Sequence, residues 1–237
     1  MRIFQPVLVV TALAAPALVP AATVAQETPV VVELYTSQGC SACPPADAIL
    51  AELAQWPDVV ALALHVDYWD YLGWKDSFGQ TAHSLRQRAY ARAAGKRSLY
   101  TPQMIVQGAD RVGGADADRV AALIAEHRAR PAEAKVDLTR EGERLDVRIT
   151  AANPVGVGPS EVYLVRYIDE ANVAIEHGEN AGYDIDYANV VTDWTSVGRW
   201  DGVTPIELDL PTPGPEPVAV IVQRDRLGPV VAAAKLP

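Results

Sequence analysis

Cys40 and Cys43 are the only two cysteines in a chain of 237 residues, and two residues separate them. A pair so spaced can close as a disulfide or open as a dithiol. Closing so short a loop removes little entropy from the unfolded chain, so a purely stabilising bridge is a weak account of the pair. Exchange chemistry needs one sulfur at the first turn of a helix, where unpaired backbone N–H groups and the positive helix end favour thiolate over thiol. The second sulfur must then reach the first and resolve a mixed disulfide. The spacing puts Cys40 at the N-terminus of a helix as nucleophile and Cys43 one turn inside as resolving thiol. Pro44 and Pro45 suit an early turn, where missing donors do little harm.

Other residues have types that chemistry at this pair could use. Thr101-Pro102 precedes a short apolar run. X-Pro is the one bond for which a cis form costs little, and a cis Pro102 across from the dithiol would offer backbone hydrogen bonds to a partner chain; a trans turn is the alternative. Glu33 is a charge in an otherwise apolar run several residues before Cys40. It is either a buried carboxylate that moves protons for the resolving thiol, its pKa raised by burial, or a side chain turned to a sheet edge. His65 could complete a metal site with Cys40 and Cys43, since soft thiolates select Cu(I), or be a hydrogen-bonded structural histidine. His83, His127 and His177 show no metal-ligand spacing. Tyr68, Trp69, Tyr71 and Trp74 either line a partner groove or pack the base of a loop, with Trp74 the expected exposed member.

The elements that would position these residues read clearly in the first half. Val30 to Tyr35 is a β-branched run that ends just before the cysteines. Ile49, Leu50, Leu53 and Trp56 recur at helical spacing up to Pro57. A second buried strand runs from Val59 to Val66, and a helix from about Gln80 to Ala94. Short strands follow at Gln103–Val106 and Arg111-Val112, then a helix from Asp116 to about Arg128. The order β-α-β-α-β-β-α, with the cysteines between the first strand and first helix, predicts an α/β thioredoxin-like domain over 26–131. After Pro131 the pattern turns to period two, with strands at Val136–Thr139, Leu145–Ile149, Val162–Ile168, Val190–Trp194, Ile206–Leu210 and Val218–Gln223. This predicts an all-β, sandwich-like domain over 132–237.

The chain also resembles a family of secreted bacterial thioredoxin-fold proteins catalogued as a domain of unknown function. The resemblance is carried by Glu33 to Asp47 with its Gly39-Cys40-Ser41-Ala42-Cys43-Pro44-Pro45-Ala46-Asp47 stretch, and by His65-Val66-Asp67-Tyr68-Trp69-Asp70-Tyr71-Leu72-Gly73-Trp74. Tyr100-Thr101-Pro102-Gln103-Met104, Gly178-Glu179-Asn180-Ala181-Gly182 and Asn189-Val190-Val191 belong to it too. It implies a thioredoxin-like domain followed by a β domain, and no established reaction. Gly178-Glu179-Asn180 reads as a loop facing the first domain or as a simple turn.

Composition narrows the partners. Hydrophobic residues make up 49% of the chain and charged residues 21%, enough for a proper core. The formal net charge is −10 and no basic patch stands out, which argues against nucleic acid as a partner. Met1-Arg2, the apolar run Val7–Leu18 and the small residues Ala21–Ala25 have the form of a signal peptide over 1–25. An uncleaved anchor is the alternative, and after cleavage no membrane span is expected. The expectation is thus a periplasmic or secreted thiol–disulfide oxidoreductase acting on protein or small-molecule thiols and disulfides, with no organic cofactor. Copper binding through Cys40, Cys43 and His65 is the alternative, and a non-catalytic binding module with a static disulfide is a third.

Overall fold

The computed structural model describes residue 1 and residues 28–237, so the expected signal peptide lies outside the described residues. Strand β1 (Val30–Thr36) is buried at every position and pairs in parallel with β2 (Val59–His65), equally buried. Helix α1 (Pro44–Ala54) connects them. Helix α2 (Thr81–Ala93) leads to the hairpin β3 (Gln103–Val106) and β4 (Asp110–Gly113), and α3 (Ala117–Arg128) follows, its first turn capped by the Asp116 carboxylate. In this half the order of elements is the one that the apolar spacing indicates. Strand β3 runs antiparallel to β1, with Leu34 opposite Met104.

The second half is all strand: β5 (Ala134–Glu141), β6 (Arg144–Ala151), β7 (Ser160–Ala174), β8 (Asp184–Trp200), β9 (Ile206–Pro211), β10 (Val218–Arg224) and β11 (Val230–Leu236). It does not form a separate domain behind a thioredoxin-like one, which corrects the fold class expected from the sequence. The molecule is mostly β, and one mixed sheet in the order β11-β10-β7-β8-β2-β1-β3-β4 takes strands from both halves. The join is at β2, whose outer edge would otherwise present unpaired N–H and C=O groups. Strand β8 lies parallel to it at Ala63 and Val190, and the Asn189 amide donates to the Ala61 carbonyl at 2.8 Å. The sheet curls until β11 returns to the first strands: Gln107 and Val230 exchange backbone and side-chain hydrogen bonds, and Lys235 donates to the Val59 carbonyl.

Three cores result. Val32, Leu34, Ala61 and Ala63 face α1 and α3 through Leu50, Leu53, Val120 and Ile124. On the other face Val31, Tyr35, Leu62 and Leu64 meet Tyr90 of α2 and the inner side of β7, β10 and β11. A third core lies between the outer side of those strands and the small sheet β5-β6-β9. Strand β10 is the shared wall, giving Ala219 and Ile221 to the second core and Val218, Val220 and Val222 to the third. No helix among the described residues is long and apolar enough to cross a membrane.

Candidate functional site

Cys40 and Cys43 are joined as a disulfide with their Cα atoms 5.4 Å apart. Helix α1 begins at Pro44, so Cys43 is its N-cap and Cys40 stands in the turn before it. The Cys43 carbonyl accepts from the N–H groups of Ala46 and Asp47, fixing the sulfur-bearing turn to the helix. Cys43 is fully buried, whereas Cys40 retains 6% exposure, so Cys40 is the nearer of the two to solvent.

The Thr101–Pro102 peptide is cis and stands beside this turn. An open groove of about 730 Å³ is lined by Ala42, Thr101, Pro102, Gly114 and Asp116, among others. A Cβ on Gly114 would come within 2.7 Å of the Pro102 Cβ and 3.0 Å of the Ala46 Cβ, so glycine there lets proline and helix approach. Trp69 crosses from the β2–α2 connection, places its carbonyl and Cβ beside Gly39 and donates from Nε1 to Thr101 Oγ1 at 2.7 Å. The exposed member of the aromatic stretch is Tyr71, not Trp74: Trp74 is half-buried and donates to Gln38 Oε1.

The loop Gly178-Glu179-Asn180 at the tip of the β7–β8 hairpin comes to the cysteine turn. Asn180, buried, donates from its amide to the carbonyls of Gln38 and Cys40, at 2.9 and 3.0 Å. Ser41 donates to the Glu179 carboxylate at 2.7 Å. Gly178 has φ +81° and faces Trp74, where a Cβ would lie 3.1 Å from that of the tryptophan.

Beneath the turn lies a buried polar cluster. Asp47, one turn beyond Cys43, accepts from Thr36 Oγ1 at 2.7 Å through Oδ1, while Oδ2 has no partner. Burial pushes its carboxyl up to about 7, against the pull of His65 and the Thr36 hydrogen bond and with some help from Asp76. His65 lies 2.8 Å through Nδ1 from Asp76 Oδ2, and its Nε2 has no partner. Asp76 also accepts from the backbone N–H groups of Gln38 and Phe78, both at 2.8 Å. Burial alone would raise the Asp76 carboxyl, but the His65 bond and charge and these two donors hold it below the usual range. Tyr187 of β8 packs edge-on against His65, centroids 4.9 Å apart, with its hydroxyl unpartnered. Burial, then Asp47 and Asp76, raise that hydroxyl's pKa, so it stays protonated.

Glu33 is not brought to the disulfide. It points to the sheet face away from α1, accepts both Nε and Nη2 of Arg86 at 2.8 and 2.9 Å, and also accepts from Tyr35 and Tyr90. Arg86 lies over the Trp194 ring at 3.9 Å, so Glu33 is the counter-charge of a buried cation. No group of three His, Cys, Asp or Glu side chains that could hold a metal occurs among the described residues. Sequence reasoning does not single out Asp47, Asp76 or Tyr187 as site residues, and it leaves Asn180 undecided. An aspartate in a first helical turn has an ordinary explanation in the helix dipole. The other three come from loops or from β8, and only the fold brings them to the site.

Fold and site together define a mostly β protein in which a helix-capping CxxC disulfide, flanked by a cis-proline, is framed by a hairpin from the other half of the chain. The chain belongs to the family described as a protein of unknown function (DUF1223), which is matched over residues 31–223. The crystal structure of protein AGR_C_4864 from Agrobacterium tumefaciens is 36% identical and superposes with a TM-score of 0.74, covering 90% of this chain and 96% of that one. HBP35 of Porphyromonas gingivalis has a TM-score of 0.60 over 89% of this chain and 75% of its own at 14% identity, a likeness of fold alone. No curated protein matches.

Proposed function

We propose that the protein exchanges thiols with disulfides through Cys40 and Cys43. The observation that carries this reading is the placement of the pair: a disulfide at the start of α1, beside a cis Thr101–Pro102 peptide and an open groove. In the reduced form, the Cys40 thiolate attacks a partner disulfide, and one partner sulfur leaves as thiolate. Cys43 then attacks Cys40, the mixed disulfide breaks, and the second partner sulfur departs; the partner gains two electrons and the pair loses them. Run in reverse, the same steps oxidise a partner dithiol. Thr101 and Pro102 line the groove where an extended partner chain would lie. The form of residues 1–25 supports an oxidising compartment outside the cytoplasm as the setting.

The test is a trapping experiment. Reduced Cys43→Ser protein, incubated with an oxidised and partly unfolded protein, is expected to accumulate a mixed disulfide through Cys40, seen on a non-reducing gel. The adduct should be absent with Cys40→Ser. Absence of any adduct, in protein shown to be folded, would overturn the reading.

A further inference from the structure

Cys43, Ala46, Asp47, Leu50 and Leu53 form the buried stripe of α1, with Asp47 four residues after Cys43 and on the same face. Helical side chains lean toward the helix N-terminus, so the Asp47 carboxyl extends toward the turn that carries the sulfurs. Thr36 occupies one of its oxygens and leaves the other free. Two further buried polar atoms around it lack partners, His65 Nε2 and Tyr187 Oη. Tyr187, its hydroxyl kept protonated by burial and by the nearby carboxylates, is a donor, and the free Asp47 oxygen is an acceptor. Buried polar atoms are rarely left unpaired in this way, and a concentration of them marks a place kept for a proton or a water rather than for packing.

We propose that Asp47 is the proton-holding residue of the cysteine pair, and that Tyr187, carried in by the β7–β8 hairpin, is a positioning residue that keeps this carboxyl out of water. The proposal rests on the exchange reading above and names the group that the second step requires. Cys43 attacks Cys40 only as thiolate. Its proton passes to the Asp47 carboxylate, the Cys40–Cys43 bond forms, the bond from Cys40 to the partner breaks, and the electron pair leaves on the partner sulfur. That thiolate or bulk water then recovers the proton from Asp47, and in the reverse direction Asp47 returns it to Cys43. With its carboxyl near 7, Asp47 can hold or release a proton around neutral pH. The groups facing it are Thr36 of β1, His65 of β2, Asp76 of the connection after β2 and Tyr187 of β8.

Closure of a glutathione adduct on Cys40 reads this step without any partner protein. Reduced full-length protein is mixed with oxidised glutathione, and the rate at which Cys43 expels glutathione is followed from pH 5 to 10 by acid quenching. The wild-type rate is expected to rise through an inflection near 7. In Asp47→Asn the inflection should move to the range of an ordinary thiol, about 8.5, with the rate at neutral pH at least ~10-fold lower. Tyr187→Ala, which admits water to the carboxyl, should move the inflection below the wild-type value. A single wild-type inflection above 8 overturns the proposal whatever the variants do, and so does an Asp47→Asn profile that superposes on the wild type. If trapping by Cys43→Ser fails while the inflection near 7 is found, exchange with protein partners falls and the proton site stands. Successful trapping without that inflection keeps the exchange function and removes the proton site.

Discussion

Asp47 carries a carboxyl raised by burial from the ordinary 3.8 to about 7. Between those values the folded chain keeps a proton that the unfolded chain has released. Its contribution to stability is therefore fully present below about pH 4 and is lost as the pH rises through 7. Roughly three pH units correspond to an upper bound of ~4 kcal/mol. Asp47→Asn retains an acceptor for Thr36 and removes the charge, so it should raise the unfolding free energy at pH 8 by about 2 kcal/mol or more and change it little at pH 4. Urea midpoints at the two pH values check this; equal shifts at both would mean that ionisation is not the cause. The same residue illustrates what the sequence reveals at this scale. Cys40, Cys43 and Thr101-Pro102 announce themselves because few residue types can do their work. An acidic residue after two prolines has the form of a helix start, and its burial depends on His65, Thr36 and Tyr187, which lie on other strands.

The β7–β8 hairpin runs past the sheet that its first strands build, and it continues over α1 to the cysteine turn. Its outer part pairs Glu170 with Ala188 and Ala174 with Asp184, and polar residues on both strands keep that part in water. The period-two signal there is weak, which is why the sequence shows only Val162–Ile168 and Val190–Trp194 as strands. Strand β11 escapes for another reason: after Val230-Val231 its apolar run consists of Ala232-Ala233-Ala234, which lack the β-branched signal of a strand. Apolar runs identify β1 and β2 as buried strands but do not say which strands lie beside them, since pairing of β2 with β8 rather than with solvent is a tertiary choice. At the hairpin's tip, Asn180→Ala would leave the Gln38 and Cys40 carbonyls without their donor, a loss of about 1–3 kcal/mol for buried groups. Amide hydrogen exchange should then speed up over residues 38–43 and stay unchanged in β5 and β6. Equal protection in the cysteine turn of both proteins would show that Asn180 does not hold it.

On the scale of the whole molecule, each half builds one core of its own, and the core between them takes residues from both. Residues 28–131 on their own would expose the β2 edge and the second core, which Val165, Val191, Ala219 and Ile221 otherwise cover. That fragment is expected to lack a cooperative thermal transition and to bind a dye for exposed apolar surface; a sharp transition would show that the first half folds without the second. The hydrogen bonds from Asn180 to the cysteine turn span 142 and 140 residues. At 5–20 residues per second, a ribosome needs on the order of ten seconds to make the chain between them. Throughout that interval the Gln38 and Cys40 carbonyls lack the donor that ties the cysteine turn to the hairpin. The frame around the pair is therefore completed late in synthesis, and a chain that stops short of Asn180 keeps its sulfurs without that frame.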